Sequence, residues 1–172
     1  MAREIERKFL VDRATWQASA VHQAHQCKHF AQGYLNDMTQ AQAKSSVRIR
    51  IEDDQANINI KSLEIGLSRD EYEYPIDLKD AKKMLSTLTV GPVIEKYRYY
   101  VTFESHLWEV DVFLGDNDGL IVAEVEMDSE HETVALPDWV SQEVTQLPRF
   151  YNISLSQKPY CEWSDHEKLL ES

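Results

Sequence analysis

Cysteine is scarce in this 172-residue chain, where only Cys27 and Cys161 occur. Two thiols cannot build a disulfide framework, so folding must rest on a packed core, and the usage suits a reducing compartment. Glycine and proline are sparse too, five of each and spread out. That excludes low-complexity linkers, and no internal repeat is visible. No apolar run approaches the ~20 residues that cross a bilayer, and the charged N-terminus lacks the apolar stretch of a secretory leader. A cytoplasmic location, without a membrane partner, is the resulting expectation. Positive charge is in deficit as well: 18 Lys and Arg stand against 30 Asp and Glu, for a net charge of −12. General nucleic-acid binding, which depends on neutralising phosphates, is therefore disfavoured. The glycine-rich motifs G-x-x-x-x-G-K-[ST] and G-x-G-x-x-G are absent, so the common phosphate-loop folds are disfavoured too. An anionic ligand could be held only where the few bases are concentrated.

What is present is an ordinary globular composition, 42% hydrophobic and 28% charged, in a length that predicts one domain over 1–172. Alternating apolar and polar residues, bounded by turn signals, predict strands near 3–10, 29–36, 45–53, 56–64, 68–75, 93–103, 107–114 and 119–128. Asp12 is placed to cap a helix over about 13–21, and Asp77 to cap one over 78–88. In the second, Leu78, Ala81, Met84, Leu85 and Leu88 form an apolar stripe. Pro137 is read as opening a third helix, with Trp139, Val140, Val144 and Leu147 facing inward. From about 148 a tail of short helix and loop is expected. Eight strands with mostly short connections suggest an antiparallel sheet that curls or closes.

The strands share an unusual habit. Successive side chains of a strand point to opposite faces, so Glu4, Glu6 and Lys8 lie together, opposite Ile5, Arg7 and Phe9. Arg48 and Arg50 are in phase, as are Lys61 with Asn57 and Asn59, Arg69 with Glu71 and Glu73, and Lys96 with Arg98. Glu109 with Asp111, and Glu124 with Glu126, complete the set. The common face thus carries seven bases and eight acids, holding seven of the chain's 18 basic residues on a surface close to neutral. A single such strand reads as a solvated face with cross-strand ion pairs. Repetition on seven strands, with Ile, Val, Tyr and Trp on the opposite faces, argues otherwise. Helices packed outside would cover the apolar face and leave the charges within a closed eight-stranded barrel. This is an α+β fold that inverts the usual small barrel, tolerable only with water, metal ions and a charged ligand inside.

The chemistry follows from the residue types. Clustered carboxylates without His or Cys suit Mg²⁺ or Mn²⁺ rather than zinc. Clustered Arg and Lys, here Lys8, Arg48, Arg50, Lys61, Arg69, Lys96 and Arg98, suit phosphate oxygens. Together they make a metal–phosphate site, in which catalysis would be positioning and charge stabilisation of phosphoryl transfer. Two other signals carry no site. His22, His25, Cys27 and His29 have no zinc spacing. Asp116 and Asp118 begin like a calcium loop, but its twelfth position is Met127, so a turn is expected.

The ordered set resembles the CYTH, or triphosphate tunnel metalloenzyme, family. The matching residues are Glu4-x-Glu6-x-Lys8, Gln32-Gly33-Tyr34-Leu35, Arg48-Ile49-Arg50, Ile60-Lys61-Ser62 and Gly66-Leu67-Ser68-Arg69 with Glu71 and Glu73. They continue as Glu95-Lys96-Tyr97-Arg98-Tyr99, Trp108-Glu109-Val110-Asp111 and Ala123-Glu124-Val125-Glu126. The tail Arg149-Phe150-Tyr151-Asn152 is similar to that of the short bacterial members, chiefly inorganic triphosphatases. The resemblance implies an eight-stranded antiparallel tunnel that binds triphosphate and a divalent metal. Lys8, Arg48, Arg50, Lys61, Lys96 and Arg98 would grip phosphates. Glu4, Glu6, Glu124 and Glu126 would bind metal, with Glu71, Glu73, Glu109 and Asp111 as further ligands or water-positioning groups. Lys8 and Tyr34 would orient or activate the attacking water. The expected activity is metal-dependent hydrolysis of inorganic triphosphate to pyrophosphate and phosphate, in a monomer or homodimer. The alternatives are a class IV-type adenylate cyclase, a thiamine triphosphatase and a non-catalytic polyphosphate-binding module.

Overall fold

The computed structural model describes residues 2–3, 5–18, 24–63 and 69–169. Its centre is one antiparallel sheet of ten strands: β1 Ala2–Arg3, β2 Glu6–Val11, β3 Gln26–Tyr34, β4 Ser45–Glu52, β5 Gln55–Ser62, β6 Asp70–Pro75, β7 Ile94–Phe103, β8 His106–Phe113, β9 Ile121–Glu126 and β10 Val140–Glu143. They pair in the order β1-β6-β5-β4-β3-β7-β8-β9-β2-β10. The expected first strand is split in two. Its short N-terminal piece pairs with β6, while its longer piece pairs with β9. Arg3 and Glu6 are three residues apart, which limits them to roughly 11 Å. Yet they sit near opposite ends of the strand order, so the sheet must curl back until its ends nearly meet.

The closed eight-stranded barrel is therefore not what the ladders form. Ten strands run in open order, and among the described residues no ladder joins the edge strands β1 and β10. The extra strand β10 corrects a second expectation. The segment after Pro137 is not a helix: Val140 and Glu143 pair with Val11 and Phe9 across an irregular register. The spacing of Trp139, Val140, Val144 and Leu147 fits a helical stripe, but docking on the exposed edge of β2 satisfies that strand's backbone. The bidentate pair from Arg7 Nε and Nη2 to Glu143, at 2.9 and 2.8 Å, ties the two strands on the outside.

Both other helices form, as α1 Arg13–Ala18 and α2 Leu78–Thr87. The Asp12 carboxylate accepts from the backbone N–H of Thr15. The Asp77 carboxylate accepts from the N–H groups of Lys79 and Asp80, satisfying donors that have no partner inside the helix. Ala81 and Leu85 of α2 bury Ile49, Ile51 and Ala56 on the outer face of β4 and β5. The chain following α2 lies close to β3 at Gly33, where any Cβ would meet Thr89 Cγ2 at 2.5 Å. A second outer cluster joins Phe9, Trp108, Val110 and Val125 to Trp16 of α1 and to Trp139. The apolar covering of the sheet's outer face is thus in place, and Trp16, Trp139 and Trp163 are packing groups. Asp116 and Asp118 lie in and beside a short turn between two glycines of positive φ, Gly115 and Gly119.

The tail folds as short turns around α3, Asn152–Leu155. Phe150, Leu155 and Trp163 join Val144 against Ile94, Phe113 and Val122. Those three are in phase with Lys96, Asp111 and Glu124, so this apolar cluster covers one end of the inner, charged face. No helix among the described residues is long and apolar enough to cross a membrane.

Candidate active site

The curl turns the charged faces of β2 to β9 toward one cavity of about 360 Å³. Lys8, Arg48, Arg50, Lys61, Arg69, Lys96 and Arg98 all line it, with Tyr34, Glu6, Glu71, Glu109 and Glu124. The period-two phase of each strand brings every expected base to one place. Asp111, Glu73 and Glu126 do not line this cavity. Glu126 lies in an adjoining acidic pocket of about 240 Å³, shared with Glu6, Glu109 and Glu124. Glu4, and Glu64–Ser68 with the Gly66-Leu67-Ser68 part of the motif, lie outside the described residues.

Asp111 is 1% exposed and holds two bases at once. Its Oδ2 accepts from Lys96 Nζ at 2.6 Å and Arg98 Nη2 at 2.9 Å, and its Oδ1 from Arg98 Nε at 2.7 Å. Register explains this, since Arg98 faces Asp111 across the β7–β8 ladder. Burial alone would raise the Asp111 pKa, but Arg98 and Lys96 outweigh it and hold the carboxyl below its ordinary value. Burial pushes the Lys96 ammonium down to about 8, with Asp111 opposing and Arg98 adding to the fall. Arg98 also reaches Glu109. There burial, with Glu124 and Asp111, raises the carboxyl against the pull of Arg98.

Lys8 is the buried centre of the β2 side. Its Nζ lies 2.9 Å from Glu124 Oε1, its ladder partner. Burial lowers the ammonium pKa, but the Glu124 and Glu6 carboxylates outweigh it, leaving Lys8 above the ordinary lysine value. Glu124 goes the other way: Lys8, Arg98 and Lys96 overcome its burial and hold it well below the carboxylate range. An ammonium held protonated donates and orients; it does not take up a proton.

The partner expected for Lys8, Tyr34, is buried in the cavity wall. Among the described residues no hydrogen bond or ion pair joins it to Lys8. The aromatic neighbour of Lys8 is Tyr151, whose ring centroid lies 4.0 Å from Nζ, with the Arg69 guanidinium 5.9 Å away on the same ring. The tail reaches this position because Val144 N–H donates to the Lys8 carbonyl, Lys8 N–H to Thr145 Oγ1, and the Tyr151 hydroxyl to the Thr145 carbonyl. Gln32, Ser46 and Asn59 also line the cavity. Asn59 shares the phase already read for Lys61 and Gln32 lies in a matched motif, while Ser46 could have been found because it is in phase with Arg48 and Arg50. Thr145 and Gln146 could not, since no periodicity points to them, and for Tyr151 the one signal was its place in the matched tail.

The β3–β6 side is less balanced. Arg48 is 9% exposed, makes no ion pair among the described residues, and its Nε has no hydrogen-bond partner. Gln32 Nε2 is equally buried and unpartnered. Arg50 Nη2 is 3.3 Å from Glu73, and Lys61 Nζ is 3.7 Å from Glu71. Those two acids also accept from Asn59 Nδ2, at 2.6 Å for Glu73 and 3.2 Å for Glu71. Buried donors without acceptors are costly, and Arg48 and Gln32, which carry two such donors, line the cavity.

Carboxylates also meet carboxylates. Glu6 stands opposite Glu126 in the β2–β9 ladder, and Glu109 opposite Glu124 in the β8–β9 ladder. Like charges directly opposite destabilise a sheet, and oxygen-only donors of this kind suit a hard divalent cation. Among the described residues no group of three or more such side chains is already drawn together as a metal site.

A curled antiparallel sheet whose inward strands present bases and acids to one cavity defines a protein built to hold a small polyanion. The CYTH domain signature matches residues 2–157, and the chain belongs to that family. An inorganic triphosphatase of Acetivibrio thermocellus is 39% identical over 160 residues, covering 93% of this chain and 97% of its own. One from Nitrosomonas europaea is 38% identical over 156 residues, covering 89% and 96%. Among solved structures, an inorganic triphosphatase superposes with a TM-score of 0.63 at 31% identity, covering 91% of this chain and 95% of that one. A Hippeastrum protein, at 17% identity and a TM-score of 0.57, shares the fold alone.

Proposed function

We propose that this chain hydrolyses inorganic triphosphate to pyrophosphate and phosphate, with a divalent cation, inside a tunnel formed by the curled sheet. The observation that carries the reading is the cavity wall itself, where Arg48 Nε and Gln32 Nε2 are buried without partners among converging bases. A linear polyanion supplies the acceptors they lack. Arg48, Arg50, Lys61 and Arg69 grip phosphate oxygens on one side, and Lys96 and Arg98 on the other. Lys8, kept cationic, orients the terminal phosphoryl group and the attacking water, with Tyr34 in the same wall. Asp111 is the anchor of Lys96 and Arg98 rather than a metal ligand. Glu4, Glu6, Glu124 and Glu126 hold Mg²⁺ or Mn²⁺, with Glu71, Glu73 and Glu109 as further oxygen donors. When bound, the cation supplies charge neutralisation on the polyphosphate. Rate enhancement then comes from fixed geometry and fixed charge around a phosphoryl group that reacts in line.

Residues 1–172 act as one domain, with the tail from about 148 as part of its wall. The protein works in the cytoplasm as a monomer or homodimer on a small molecule, without nucleic acid or membrane. The test is incubation with tripolyphosphate, ATP and thiamine triphosphate, each with Mg²⁺, Mn²⁺ or chelator, followed by product identification. Metal-dependent release of pyrophosphate and phosphate from tripolyphosphate is expected. Cyclic AMP from ATP, or no turnover of any substrate, would overturn the reading. Glu4→Gln is expected to weaken metal dependence more than Arg48→Ala, and coincident metal titrations for the two variants would undo that division of roles.

A further inference from the structure

Phe30 is out of character with its neighbours on the inner face of β3, where Lys28, Gln32 and Tyr34 carry polar groups. Its ring is 1% exposed and forms no part of the cavity lining. It stands between β4 and β7, opposite Glu52 and Lys96 in the two ladders. Three cations converge on this one ring: Arg98 Cζ at 5.0 Å from the centroid, Arg50 Cζ at 5.3 Å and Lys96 Nζ at 5.7 Å. All three also line the cavity.

Cations packed this closely repel. Burial lowers the Arg50 pKa, and Arg48 and Arg98 lower it further against the pull of Glu73. Carboxylates compete for the same groups, since Arg50 Nη2 lies 3.3 Å from Glu73 and 3.9 Å from Glu52. A carboxylate occupies N–H donors, as Asp111 does with Lys96 Nζ and with Arg98 Nε and Nη2. An aromatic face attracts cations without a formal charge and without hydrogen-bond acceptors, so it gathers them without occupying any further N–H donor.

We propose that Phe30 is a positioning residue for the polyanion: its ring holds Arg50, Lys96 and Arg98 converged on the cavity from beneath. This rests on the triphosphate reading of the site. An aliphatic residue would fill the space and exclude water, but would not attract the cations.

The test replaces Phe30 by a graded series of 4-fluoro, 3,5-difluoro and 3,4,5-trifluorophenylalanine, with Phe30→Leu alongside. Fluorination drains the ring face at nearly constant size. Tripolyphosphate binding is measured by calorimetry without metal, together with melting midpoint, KM and kcat. Affinity is expected to weaken stepwise along the series, to about tenfold, with KM rising in step while kcat and the melting midpoint stay near wild type. Flat affinity across the series, with Phe30→Leu altering only the melting midpoint, would reduce Phe30 to packing and overturn its role alone. Failure of the wild-type protein to bind tripolyphosphate would overturn the triphosphate reading, and this inference with it.

Discussion

The cavity has two walls with the same kinds of side chain in opposite states of balance. On the wall of β2, β7, β8 and β9 every base is matched: Lys8 by Glu124 at 2.9 Å, and Lys96 and Arg98 by Asp111 at 2.6 and 2.7 Å. On the wall of β3 to β6 Arg50 lies 3.3 Å from Glu73, and Arg48 makes no ion pair among the described residues. On the first wall each base has its carboxylate before any ligand arrives, and carboxylates outnumber bases. The second keeps Arg48 without an acid among the described residues, a charge that an incoming anion would balance. One wall sets geometry, and the other supplies unspent attraction.

That contrast can be broken most forcefully at Asp111. Asp111→Ala leaves two buried cations without their shared partner, and loss of a buried partner costs about 3–5 kcal/mol. The melting midpoint should fall by roughly 10 °C at this chain length. A midpoint within a degree or two of wild type would show that the matched wall is not what holds the site together. Arg48→Met is the counterpart. Loss of a charge-assisted contact to phosphate of about 1.5–3 kcal/mol should lower kcat/KM for tripolyphosphate about 10- to 100-fold. Its melting midpoint should stay level or rise, because an unpaired buried charge is removed. If Arg48→Met melted lower and kept its activity, the two walls would have exchanged roles.

A smaller effect should come from Tyr151→Leu, which strips the ring from Lys8 and Arg69. Cation–π contacts of about 0.5–2 kcal/mol translate into roughly a two- to thirtyfold rise in KM. An unchanged KM would detach the tail from the site. The mildest test is pH. Lys96 is pushed down to about 8, chiefly by burial, so the free protein loses that charge as pH rises through this value. Tripolyphosphate affinity should decline modestly across that range in the wild type and less in Lys96→Arg, whose charge persists. Parallel calorimetric titrations for the two would place the loss elsewhere.

Much of this was legible in the sequence, for a specific reason. In strands the side-chain period is fixed at two, so once the strands are found the shared face of Lys8, Arg48, Arg50, Lys61, Arg69, Lys96 and Arg98 follows without further knowledge. Their convergence needed only the curl. What was not legible depends on contacts distant in sequence. Nothing local distinguishes Asp111, locked by two bases, from Glu126 in the acidic pocket on the neighbouring strand. Nothing local says that Tyr151 comes to rest over Lys8, 143 positions earlier in the chain. The four residues of β10 are too few for alternation to outweigh the helical spacing around them, and only the open edge of β2 decides their conformation.

The N-terminal segment, which belongs to ladders near opposite ends of the sheet, has a consequence for how the protein is made. Ala2–Arg3 waits for β6, and Glu6–Val11 waits for β9 and β10. A ribosome delivers that segment first and its partners β9 and β10 late, since they begin at Ile121 and Val140. Lys8 therefore leaves the ribosome long before Glu124, its counter-charge, exists. The middle strands can pair as hairpins while synthesis continues, but the closing stitch cannot be placed until most of the chain is out. Chains truncated before Ile121 would hold a β3–β8 sheet whose Glu6–Val11 segment lacks both its partners, and phosphate-binding competence would appear as a late, single event.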